Sequence, residues 1–196
     1  MSLKPHPESS NLQRRITVIS SECAVGFEGI VYRMVDLQWS KPMDIVNGKG
    51  GLSANGRWHI KKSARVSYTC LEPETAMAES FSSPRYYRFP IRKVLPKVLV
   101  GIRVKLYRVI DFGDGLVRQR LKVSDQTMME TDWRKKNFRG EEAITQCLGR
   151  CFCENKVEGL LVPSTVSSSE QNLIVFPENL FSRSIFSLDY PVKWPN

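Results

Sequence analysis

The ten residues Lys97–Leu106, KVLVGIRVKL, put Val98, Val100, Ile102, Val104 and Leu106 on one side of an extended chain and Arg103 and Lys105 on the other. A period of two held over that length is the pattern of a strand with one face buried. A strand with so continuous an apolar face belongs in the middle of a sheet, and the rest of the chain must supply its neighbours. Gly29–Val35 (GIVYRMV) sets Ile30, Tyr32 and Met34 against Val31, Arg33 and Val35. Val66–Leu71 (VSYTCL) is rich in β-branched and aromatic residues, while Gly159–Pro163 (GLLVP) and Asn172–Phe176 (NLIVF) are short apolar runs of strand length. The tail Ile185–Trp194 can add an edge strand.

Helical signals fall between these strands. Glu72-Pro73-Glu74 combines proline at an early helical position with acidic residues at the positive end of the dipole, so a helix is expected from Pro73 to Ser82. Glu79 then lies two turns in, on the face shared with Thr75 and Ala76. Within Glu141–Glu154, Ile144, Cys147, Leu148, Cys151 and Phe152 recur at helical spacing, with Gln146 and Arg150 turned elsewhere. Mixed strands and helices without an internal repeat predict an α+β fold in one domain, with a central, mostly antiparallel sheet and flanking helices. Residues 1–22 are polar and read as an N-terminal arm, extended or loosely attached, with the fold proper over residues 23–196.

Composition narrows the function classes. The 196 residues carry a formal charge of +9, which favours polyanions, phosphorylated metabolites or an acidic protein partner and says nothing of the fold. No apolar run approaches the roughly 18 residues a membrane-spanning helix needs. MSLKPHPESSNLQRR has no apolar stretch before its basic pair, so a secretory signal is not expected and a cytoplasmic location is. Five cysteines, Cys23, Cys70, Cys147, Cys151 and Cys153, are an odd number that suits reduced thiols better than a disulfide framework. Cys147, Cys151 and Cys153 with only His6 and His59 make no recognised ligand set, so no metal is expected.

Five polar residues stand out against this frame. Asn47–Gly56 holds four glycines and two asparagines and reads as a flexible loop that can bring backbone close to a ligand, with Arg57 at its end. Arg57, and with it Arg33, can offer planar bidentate donors to phosphate. Glu79 can stabilise positive charge developing on a ribose or hold its hydroxyls. Tyr68 can stack on a flat ring, and Ser164, after Pro163 at a strand end, can face a ligand or orient Glu79. Each has an ordinary alternative: a surface cation, a solvated glutamate, a packed strand aromatic, a turn-capping serine. Ser164 is not read as a nucleophile, because neither histidine has a triad context. The glycines from Gly48 to Gly56 match neither the Rossmann fingerprint nor the Walker A loop.

The order Arg57, Tyr68, Glu79, Ser164, with the flanking words Gly56-Arg57-Trp58, Val66-Ser67-Tyr68, Thr75-Ala76-Met77-Ala78-Glu79, Gly159 through Ser164 and Asn172 through Pro177, resembles the RES domain family, named for its arginine, glutamate and serine. Tyr32-Arg33 is similar to the family's first motif, and the resemblance spans about Gly29 to Leu180. It implies a toxin-like enzyme on a fold similar to ADP-ribosyltransferases. That enzyme would consume NAD as substrate, not cofactor, by cleaving its nicotinamide–ribose bond and passing ADP-ribose to water or phosphate. It also implies an Xre-type antitoxin partner and, by analogy, a homodimer. His59 departs from the asparagine usual after the Arg-Trp pair. Two other readings stand beside it: ADP-ribosyl transfer to a macromolecule, and a basic nucleic-acid-binding protein suggested by Arg85-Tyr86-Tyr87-Arg88 and Arg92-Lys93. A docking surface for an acidic antitoxin accounts for that basic segment better than nucleic acid does.

Overall fold

The computed structural model describes residues 2–167 and 169–189. Among these residues six strands form, β1 (Val25–Asp36), β2 (Ser67–Cys70), β3 (Lys97–Asp111), β4 (Gly159–Pro163), β5 (Gln171–Val175) and β6 (Ile185–Leu188). They run in the order β1-β2-β5-β4-β3, and β3 also pairs with β1, so five strands close into a barrel-like ring with β6 on the outer edge of β3. The expected alternation holds on β3, where Val100, Ile102, Val104 and Leu106 are buried. Its central place follows from bonding to three neighbours: β1 along most of its length, from Asp36 against Lys97 to Val25 against Val109, then β4 and β6. Every pairing is antiparallel except β3 with β4. A parallel pair needs a long crossover, and residues 112–158 supply it as α6 (Gly115–Leu121), α7 (Asp125–Glu130), α8 (Trp133–Phe138) and α9 (Ile144–Glu154).

Five helices precede that crossover: α1 (Ser9–Glu22), α2 (Pro42–Val46), α3 (Gly50–Ser53), α4 (Pro73–Ser80) and α5 (Ser82–Tyr86). The first corrects the expectation of a loose N-terminal arm. Leu12, Ile16 and Ile19, spaced four and three apart, are at most 1% exposed and join one core with Cys147, Leu148, Cys151 and Phe152 of α9 and Leu121 of α6. Three aliphatic side chains on one stripe suffice to dock a helix whose other faces are polar, each contributing about 1.5–3 kcal/mol when fully buried. Ahead of α1 the chain is tied as well, with the Lys4 amide donating to the Gly140 carbonyl at 2.7 Å and its carbonyl accepting from Glu142 at 2.9 Å.

A second core, of Val31, Val35, Ile102, Val104, Leu161, Leu173 and Val175 among others, lies on the opposite face of β4 and β5, where Leu160, Val162 and Ile174 point to the first. The sheet is thus buried on both sides. The glycine-rich stretch is also tighter than expected. It contains α3, and a Cβ on Gly48 or Gly51 would meet the Val66 amide nitrogen at 2.8 and 3.0 Å. These glycines admit the chain's own backbone beside β2. The tail strand ends at Leu188, and residues 190–194 of the expected edge strand lie outside the described residues. Among the described residues no helix is long and apolar enough to cross a membrane.

Candidate active site

A cleft of about 380 Å³ is walled by β1, β2, β5, α4, the Gly56–His59 turn and the start of α8. Glu79 enters it from α4, on the helix face shared with the buried pair Thr75 and Ala76, and Ala76 lines the cleft beside it. One carboxylate oxygen, Oε1, accepts from Ser164 Oγ at 2.9 Å and from Asn172 Nδ2 at 2.8 Å. The other makes no hydrogen bond among the described residues. Ser164 is fully buried behind Glu79, its hydroxyl also accepting from the Val166 amide and its own N–H donating to Glu170. It bonds the carboxylate from behind and is not among the residues that line the cleft. Because a carboxylate only accepts, the Asn172 amide orientation is fixed by chemistry. Its Oδ1 is buried with no partner among the described residues, and an orphaned acceptor of this kind costs about 1–3 kcal/mol unless a ligand or water donates to it.

Three arginines line the same cleft. Arg57 Nη1 donates to the Met128 and Thr131 carbonyls at 2.9 and 3.0 Å, capping the C-terminal end of α7 where the dipole is negative. Its other nitrogens make no hydrogen bond among the described residues. Burial lowers the Arg57 pKa, Glu79 opposes that, and Arg134 adds to it. Arg33 spans to the Ile45 carbonyl and to Ser67 Oγ at 2.8 Å, and with no carboxylate against it, burial lowers its guanidinium to about 10. Arg134 lies 4.3 Å from the centre of the Trp133 ring and 4.8 Å from that of Tyr86, and bonds Ser83 Oγ at 2.5 Å. Three cations and one carboxylate give the cleft a net positive lining.

Arg57 is presented by a braced turn. Gly56 and His59 form an isolated antiparallel bridge, and Gln146 of α9 donates to the Gly56 carbonyl at 2.9 Å. Gln146 is itself held by a reciprocal amide pair with Asn137, at 2.8 and 3.0 Å. The expectation that Gln146 turns away from the core is corrected: it is fully buried, because it is the polar group that satisfies this turn. Trp58 packs on Phe112 with ring centres 5.4 Å apart. The Tyr68 hydroxyl accepts from the Trp58 amide and contacts His59 Nδ1, both at 2.9 Å, so β2 is stapled to the turn. Burial drives the Tyr68 phenol well above its ordinary value.

Four of the five residues singled out in the sequence, Arg33, Arg57, Tyr68 and Glu79, line one cleft, and Ser164 backs it. Asn172, Trp133, Arg134 and Gln146 were not singled out for the site. Asn172 sits in a quoted motif, but Trp133 and Arg134 come from a stretch with no strand or helix period. Cys70 also lines the cleft, its thiol pushed up to about 12 by burial first and by Glu79 second, so it stays protonated. Among the described residues no three His, Cys, Asp or Glu side chains are placed to hold a metal.

A barrel-like ring with a carboxylate and three arginines in one cleft defines the class, and the family follows from the sequence. The RES domain model matches residues 30–195, and the chain belongs to that family. No curated protein matches the chain. Among solved structures, the crystal structure of the M. tuberculosis MbcT–MbcA toxin–antitoxin complex contains a chain with the same fold at a TM-score of 0.69. That chain is 17% identical, with 91% of this chain and 89% of that one covered.

Proposed function

We propose that this protein is a NAD-consuming, toxin-like enzyme that cleaves the nicotinamide–ribose bond and passes ADP-ribose to water or phosphate. The observation that carries this is Glu79, with Oε1 pinned by Ser164 and Asn172 and Oε2 free, in a cleft that also holds Arg57, Arg33 and Arg134. As nicotinamide departs, positive charge develops on the ribose, and a carboxylate already oriented stabilises it without reorganising. Fixed arginines suit the pyrophosphate, whose charge does not change in the reaction. The Asn172 Oδ1 acceptor suits a ribose hydroxyl or the carboxamide N–H.

Membership of the RES family and the MbcT–MbcA fold likeness support the toxin reading, and with it an antitoxin partner. The nucleic-acid reading is weaker, because Tyr86 is engaged within the molecule: its hydroxyl donates to Asp132 at 3.1 Å and Arg134 covers its ring. The test is incubation of the purified protein with NAD, with and without phosphate, followed by chromatography. Nicotinamide release is expected, and its dependence on phosphate names the acceptor. Absence of release under both conditions overturns the reading. Labelled ADP-ribose appearing on a macromolecule would instead identify a transferase.

A further inference from the structure

The polar atoms around His59 determine its tautomer. His59 Nε2 lies 2.9 Å from the Ala54 carbonyl oxygen, which can only accept, so Nε2 carries the proton. In the neutral ring Nδ1 is then a bare lone pair, and the Tyr68 hydroxyl 2.9 Å away must donate to it. The same phenol oxygen accepts from the Trp58 amide. Each hydrogen bond in the chain Trp58 N–H to Tyr68 Oη to His59 Nδ1, with His59 Nε2–H to the Ala54 carbonyl, thus has one possible direction.

We infer that neutral, Nε2-protonated His59 is a positioning residue for the proposed reaction: it fixes the Tyr68 proton and so holds the Gly56–Trp58 turn that presents Arg57. This rests on the NAD reading only for its kinetic arm. Protonating the ring turns Nδ1 into a donor aimed at an oxygen that already accepts from Trp58, and the phenol proton must then leave its partner. There is little room to adjust, since an added Cβ on Gly56 would stand 2.5 Å from both Tyr68 Oη and the His59 ring. The ring is 5% exposed as part of its residue and is surrounded by the Ala54 and Gly51 carbonyls, the Tyr68 hydroxyl and the turn itself. No carboxylate is bonded to it among the described residues to favour the charged form. Burial lowers its pKa, with the two carbonyls opposing.

The test joins nitrogen NMR of the folded full chain to a pH profile. The expected spectrum shows His59 as the Nε2–H tautomer, with the Trp58 amide shifting at the same midpoint as the ring on acidification. The expected profile shows kcat/KM for NAD falling about tenfold per pH unit below that midpoint. In His59→Asn, whose side chain cannot ionise, the break at the wild-type His59 midpoint disappears whatever rate remains. In His59→Gln, which reaches the Ala54 carbonyl but not Tyr68, KM rises about tenfold, the equivalent of losing one hydrogen bond. An Nδ1–H tautomer, a Trp58 amide indifferent to the His59 titration, or a break at the wild-type His59 midpoint that persists in His59→Asn overturns the inference. Should the protein release no nicotinamide at any pH, the spectrum alone still decides it.

Discussion

At the scale of single residues, the geometry around Glu79 separates two kinds of support. Ser164 and Asn172 each give one neutral hydrogen bond to the same oxygen, so they fix direction without neutralising the charge. Glu79→Gln keeps the shape and removes the charge, and is expected to reduce NAD turnover by at least about a hundredfold with an unchanged melting curve. Wild-type turnover in the purified variant would reject the assignment. Asn172→Asp replaces the donor by a second carboxylate at a separation of 2.8 Å. Two acids that close share a proton, so the variant is expected to lose most activity at neutral pH and to recover some of it on mild acidification, as a rate–pH series would show.

At the scale of elements, the site is mounted on the interior of the molecule. The Arg57 turn rests on α9 through Gln146 and through Gly149, where an added Cβ would stand 1.9 Å from the Trp58 carbonyl oxygen. Gly149→Ala must push α9 off the turn and is expected to lower both stability and substrate affinity, by denaturant melts and NAD titration. On the far side of α9, Ile16→Ala in α1 is expected to cost about 2–5 kcal/mol in a urea melt, as for a buried aliphatic side chain cut back to alanine. A loose arm would cost nothing. Strand β3 was legible from the sequence because its period of two is set by burial on one side, and β4 and β5 were legible as short continuous apolar runs, buried on both sides. Helix α4 was legible from Pro73 and its acidic flanks. Helix α1 was not, because three apolar residues among polar ones resemble a polar segment until the partner helix is known. Helices α6 to α8 are short and start at Asp114, Ser124 and Asp132 caps, a weak signal without an apolar period. Trp133 and Arg134 were hidden with them, and Gln146 was misread because what it satisfies is a backbone turn 90 residues away.

At the scale of the whole molecule, both histidines respond to pH in the same direction. Burial is the leading cause that lowers the pKa of His6 and of His59 from 6.5. The unfolded chain therefore binds protons more readily, so the stability these groups contribute is complete above about pH 6.5 and is lost as pH falls below it, by up to about 1.4 kcal/mol per pH unit for the buried His59 and by less for the half-exposed His6, where solvent screens the effect. Melting temperatures between pH 7 and 5 are expected to fall. A flat curve would remove both histidines from the account.

Arg57 has two allegiances, since the guanidinium that faces the cleft also closes the end of α7. An anion that draws it inward takes donors from the Met128 and Thr131 carbonyls, so occupancy of the cleft is felt as fraying in the crossover between β3 and β4. Amide hydrogen exchange carries the signature: ligand should slow exchange in the Gly56–His59 turn and speed it in residues 125–131, two opposite responses from one side chain.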